Sequence, residues 1–134
     1  MAKLSEIEGI GETYQAKLQE AGIKSIEALL DKGSEKKARK ELAEKTGISE
    51  KLVLNWVNRA DLARVKGVST QYADLLESAG VDTVPELAQR RPDNLHKKML
   101  EVNEEKKLVR RPPSASEVEK WVAQAKELPR KVNY

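Results

Sequence analysis

Ile7-Glu8-Gly9-Ile10-Gly11-Glu12-Thr13-Tyr14 returns, altered, as Val65-Lys66-Gly67-Val68-Ser69-Thr70-Gln71-Tyr72. The correspondence continues from Leu18-Gln19-Glu20-Ala21-Gly22-Ile23 to Leu76-Glu77-Ser78-Ala79-Gly80-Val81, at a constant offset of 58 positions. Self-similarity of this length marks one supersecondary unit made twice. Each copy holds an apolar-x-Gly-apolar-small corner that runs straight into a helical pattern. Glycine allows the tight turn and keeps the backbone accessible. A helix starting there offers unpaired N–H groups and the positive end of its dipole, a combination suited to anions.

Outward from these corners the helical period dominates and no strand pattern occurs. Residues 12–21 read as a helix closed by Gly22. Ser25 is placed to cap a short helix over 26–30. Ser34 is placed to cap 35–46, with Ala38, Leu42 and Ala43 inward and Gly47 as the stop. Ser49 opens a helix to about Ala63 whose inward face is Leu52, Val53, Trp56, Val57 and Ala60. In the second copy a helix over 70–79 ends at Gly80, and Thr83-Val84-Pro85 opens a short one. Pro92 or Asp93 opens a third helix carrying Leu95, Met99, Leu100 and Val102. Ser114 or Ser116 opens the last, with Val118, Trp121, Val122 and Ala125. The repeat pairs Tyr14 with Tyr72 and Trp56 with Trp121, which reads as core packing. The offset has grown to 65 at the tryptophans, and the surplus falls within 104–113.

These patterns predict an all-α protein of two pseudo-symmetric four-helix repeats, residues 1–64 and 65–128, with a basic loop insertion at 104–113. The tail, 129–134, is expected to fray. A single copy of about 60 residues is marginal alone, so the two are expected to share one core in one compact unit. The last helix, over 116–128, is expected to fold back beside the N-terminus.

Composition narrows the function classes. Of 134 residues, 39% are hydrophobic and 35% charged, which fits a soluble globular chain. No apolar run approaches the roughly 18–20 residues of a membrane span, and the first residues lack a signal-peptide core; a cytoplasmic location is expected. Cysteine is absent and His96 is the only histidine, so the usual zinc constellations are out of reach. No nucleophile elbow occurs. No catalytic activity, cofactor, metal or small-molecule substrate is expected, and His96 reads as an ordinary helix residue. Net charge is +3, with acids and bases spread evenly over both halves, so any nucleic-acid surface must be local.

Ile7-Glu8-Gly9-Ile10-Gly11, with Lys17-Leu18 and Ala21-Gly22-Ile23 behind it, resembles a helix-hairpin-helix motif. Such motifs occur in DNA repair and recombination proteins, in the small N-terminal domain of archaeal recombinases and at the C-terminus of the bacterial RNA polymerase α subunit. The continuation Ile23-Lys24-Ser25-Ile26-Glu27-Ala28-Leu29-Leu30 resembles those families too. As a whole the chain is similar to a bacterial family of unknown function built from tandem motifs of this kind. The resemblance implies that hairpin amides hold a DNA phosphate, independent of sequence, and that hairpin carbonyls can hold a monovalent cation. Those amides belong to Gly9, Ile10 and Gly11 in the first hairpin, and to Gly67, Val68 and Ser69 in the second.

The hairpins differ in their charges. Glu6, Glu8 and Glu12 flank the first and repel phosphate; Lys3 and Lys17 are the nearby bases. Arg59, Arg64 and Lys66 flank the second, with Asp61 and Asp74 as nearby acids. Ser69 stands where the motif usually has a second glycine. The second hairpin is therefore the expected DNA contact, aided by Lys106, Lys107, Arg110 and Arg111 in the insertion, a loop able to track phosphates. Arg90, Arg91, Lys97 and Lys98 lie nearby in sequence. The run Glu35-Lys36-Lys37-Ala38-Arg39-Lys40 reads as a basic helix face, solvated because Glu41 and Glu44 follow within a turn. The expected function is weak, sequence-independent DNA binding. The rival expectation is a protein-interaction module, docking another protein or a second copy of itself.

Overall fold

Both glycine corners fold as tight left-handed turns. Gly9 has φ of 92° and Gly67 of 91°, a region that side chains disfavour and glycine occupies without penalty. The turn closes when Ile10 N–H donates to the Ile7 carbonyl at 3.2 Å, and Val68 N–H to the Val65 carbonyl at 3.2 Å. Ile7 and Ile10, like Val65 and Val68, are buried while the glycines are exposed. Burial of the two apolar residues that flank the turn thus leaves each glycine at the surface.

The computed structural model describes residues 3–7 and 9–133. Glu8, expected at the first hairpin mouth, lies outside the described residues. After a 3-10 turn at Leu4–Glu6 come α1 (Glu12–Glu20), α2 (Ile26–Gly33), α3 (Lys36–Thr46) and α4 (Glu50–Leu62). They are followed by α5 (Thr70–Ser78), α6 (Val84–Ala88), α7 (Pro92–Lys106) and α8 (Ala115–Glu127). The described residues are all-helical, with no strand. Capping chemistry fixes several starts. The Ser25 hydroxyl accepts from Ala28 N–H, Thr83 from Glu86 N–H, and Ser114 forms a reciprocal capping box with Glu117.

The chain divides into two units, Met1–Asp61 with Lys131–Tyr134, and Leu62–Arg130. Their buried apolar side chains form two clusters, one built around Leu4, Leu18, Ile23, Leu29 and Trp56, the other around Leu75, Leu76, Leu95, Met99 and Trp121. This corrects the expectation of one shared core. Each unit closes on itself because its last helix sets a tryptophan under its own glycine corner. A Cβ placed on Gly9 would sit 3.5 Å from the Trp56 indole nitrogen, and one on Gly67 3.0 Å from that of Trp121. Tyr14 packs on Trp56 with ring centroids 5.1 Å apart, and Tyr72 on Trp121 at 5.2 Å. Within the second unit α8 packs on α6 and α7.

Three further expectations fail locally. Arg39, not Ala38, is the buried member of the charged run, at 4% exposure. It donates to the carbonyls of Gly33 (2.7 Å), Ser34 (3.1 Å) and Asn133 (2.6 Å). A guanidinium suits that position because its fork satisfies several carbonyls at once. Ser34, expected to cap 35–46, instead closes α2, and α3 starts after Glu35 with no side-chain cap. The tail does not fray at 131–133. Val132 is buried in the first cluster, Asn133 N–H donates to the Ser34 carbonyl at 2.8 Å, and Lys131 pairs with Asp31 at 2.8 Å. Tyr134 lies outside the described residues.

Candidate nucleic-acid interface

At the second corner the backbone is held from outside. The Gln124 side chain, one helical turn beyond Trp121 on α8, accepts from Lys66 N–H at 2.9 Å and donates to the Lys66 carbonyl at 3.2 Å. Ser69 then caps α5, its hydroxyl accepting from Tyr72 N–H at 3.3 Å. Of the three expected amide donors, Val68 is already engaged with Val65. Gly67 and Ser69 keep N–H groups with no acceptor among the described residues, next to the N-terminus of α5. At the first corner Ile10 is engaged likewise, and Gly11 begins α1 with no side-chain cap. Exposed Glu6 and Glu12 flank that corner, and Lys17 lies 6.0 Å from the centre of the Tyr14 ring.

The insertion is an anchored loop. Helix α7 extends through Lys106, taking in the first part of the surplus residues, and Lys107 ends it in a left-handed conformation with φ of 51°. Buried Asn103 then accepts from Val109 N–H at 2.9 Å and donates to the Val109 carbonyl at 3.1 Å. Val109 enters the core. Tyr72 donates its hydroxyl to the Arg111 carbonyl at 2.9 Å, and a His96 ring nitrogen lies 3.0 Å from the Pro113 carbonyl. His96 therefore ties down the far end of the loop. Both Nη groups of Arg111 face the Glu117 carboxylate, at 3.4 and 3.5 Å. The Ser114 N–H, with support from the Arg111 charge, holds the Glu117 carboxyl below its ordinary value.

These anchors bring the loop against the second corner. Ser69, Gln71 and Tyr72 form one side of a groove of about 840 Å³; Asn103, Glu104 and residues 107–111 form the rest. Three of the expected contact residues on the loop, Lys107, Arg110 and Arg111, thus share one concavity with Ser69. Lys106 ends α7, exposed and outside the lining. Lys66 is exposed at the corner, whereas half-buried Arg64 donates to the Pro129 carbonyl at 2.7 Å. Arg59 lies in the first unit, on α4. Arg91 pairs with Asp93 at 3.4 Å, and Lys97 and Lys98 are exposed on α7.

Gln71, Tyr72, Leu108 and Gln124 escaped the sequence reading as site residues. For Gln124 a signal existed, since i+3 from Trp121 puts it on the helix face that meets the corner. The groove itself arises from tertiary packing.

Among the described residues no three His, Asp or Glu side chains are grouped to hold a metal ion, and no helix is long and apolar enough to cross a membrane. No curated protein and no solved structure matches the chain. Residues 8–128 match a family described as a domain of unknown function, DUF4332, and the chain belongs to that family.

Proposed function

We propose that the protein is a non-catalytic, sequence-independent nucleic-acid binder of the cytoplasm that holds DNA by its phosphates. The observation that carries this reading is the groove in which Lys107, Arg110 and Arg111 face the start of α5. Cations with exposed donors suit phosphate oxygens, and the N-terminus of a helix adds to their attraction. The resemblance of the corner to a helix-hairpin-helix motif supports the same reading. In it Gly67 and Ser69 supply amides, Lys66 adds charge at the corner, and Arg64 and Gln124 keep the scaffold in shape.

The test is fluorescence anisotropy with a labelled DNA duplex across a salt series starting near roughly 50 mM, where phosphate contacts are strong. A Lys107→Glu, Arg110→Glu variant is expected to bind about tenfold or more weakly, with the salt slope reduced by about one per lost contact. Unchanged affinity would remove this surface from consideration. The acidic first corner, with Glu6 and Glu12 exposed beside uncapped Gly11, favours a second reading, docking of a protein partner or a second copy. A concentration-dependent dimer in sedimentation, with no DNA binding at low salt, would support it.

A further inference from the structure

The groove is not lined by charge alone. Leu108 is one of two exposed large hydrophobic residues among those described, and it lines the groove between Lys107 and Arg110. The other, Leu100, does not line it. Fixed backbone geometry sets the direction of Leu108. Lys107 turns the chain through the left-handed region, and Val109 is locked inward by Asn103. Leu108, between these two anchors, stays at the surface. Tyr72 contributes a half-buried ring whose hydroxyl is already bonded to the Arg111 carbonyl; what it has left to offer is aromatic carbon.

We infer that this groove takes single-stranded nucleic acid in preference to duplex, a conclusion that rests on the nucleic-acid reading above. The outside of a duplex presents phosphate and sugar, and its base faces are stacked out of reach. A phosphate pressed against a leucine loses water and gains no hydrogen-bond partner in return. A single strand presents phosphates and unstacked base faces along the same short length, and base-to-apolar contact is largely indifferent to sequence. Lys107, Arg110 and Arg111 then hold the backbone while Leu108 and the Tyr72 ring lie against bases. Glu104, the acid in the lining, lies at the α7 end of the groove and discourages the backbone from running that way.

The experiment compares a labelled oligothymidylate with a duplex of equal length, using the full chain, Leu108→Ser and Arg110→Glu. The single strand is expected to bind more tightly. Leu108→Ser is expected to weaken it about fivefold or more without changing the salt slope or the duplex affinity, while Arg110→Glu weakens both ligands and lowers the slope. Duplex affinity equal to or above that of the single strand, with Leu108→Ser silent, overturns the strand preference and leaves the DNA reading standing. Failure of both nucleic acids to bind at low salt overturns both. So does preferential capture of polyglutamate, which would identify the groove as a site for acidic polypeptide.

Discussion

The two glycine corners share their backbone and differ in nearly everything around it. Gly9 and Gly67 adopt the same left-handed turn within 1° of φ, each over the indole of a tryptophan from its own unit's last helix. Around Gly9 the exposed charges include Glu6 and Glu12, and Gly11 leaves α1 uncapped. Around Gly67 a serine caps the helix, a glutamine grips the preceding peptide, and an anchored basic loop completes a groove. The turn therefore belongs to the fold, and the chemistry belongs to what each unit has added beside it. At the second corner, residues of the insertion supply much of the groove's lining.

The strongest way to break this comparison is to remove what the corners share. Trp56→Ala and Trp121→Ala each delete a buried indole and are expected to cost about 3–5 kcal/mol. Because the buried side chains form two clusters, loss of amide protection should begin in the unit that carries the change. Trp121→Ala is expected to expose amides of α5–α8 first, and Trp56→Ala those of α1–α3, in hydrogen exchange followed residue by residue. Uniform loss across the chain in both variants would show that the halves unfold as one cooperative body.

A smaller effect separates the units by their ends. The first unit is completed by residues 131–133, which bury Val132 and provide an acceptor for Arg39. Truncation after Arg130 exposes apolar surface and takes one carbonyl from a buried guanidinium, and is expected to cost the first unit about 2–4 kcal/mol. Thermal melts of the truncated chain should show this loss, with Val132→Ala giving an intermediate value. A melting temperature unchanged in both would mean that the tail rests on the surface without supporting it.

What the sequence made legible was local. Gly9 and Gly67 and the caps at Ser25 and Thr83 depend on near neighbours, and the packing role of Trp56 and Trp121 on the repeat, and those signals survive in a linear string; that each tyrosine packs on the tryptophan of its own unit did not show there. Arg39 was not legible as a core residue, because a run of Lys and Arg ordinarily marks a solvated face and its acceptors come from a distant segment and a helix end. Nor was the docking of Val132 and Asn133, since three residues carry no period. The groove required knowing that α7 extends to Lys106 and that Asn103 pulls Val109 inward. A break with several charges reads as a solvated loop until a buried asparagine is seen to hold it.

The finest difference between the corners lies in one carboxylate. Glu117 accepts from Ser114 N–H and pairs with Arg111, and both interactions favour its charged form. Its folded value lies below the ordinary 4.5, so ionised Glu117 contributes stability above that value and the contribution fades as the pH falls through the folded one. The carboxylate is solvent-accessible, so the effect on melting should be slight: Glu117→Gln is expected to lower the melting temperature a little at neutral pH and to leave it unchanged in acid, which flattens the acid limb of the profile. Its effect on the groove has the opposite sign. Removing the negative charge releases Arg111 toward the concavity, so Glu117→Gln at neutral pH should tighten nucleic-acid binding by about twofold. A fall in affinity would mean that the pair with Glu117 is what holds the Arg111 side chain in a binding position, and that the loop, rather than its charge, makes the second corner different from the first.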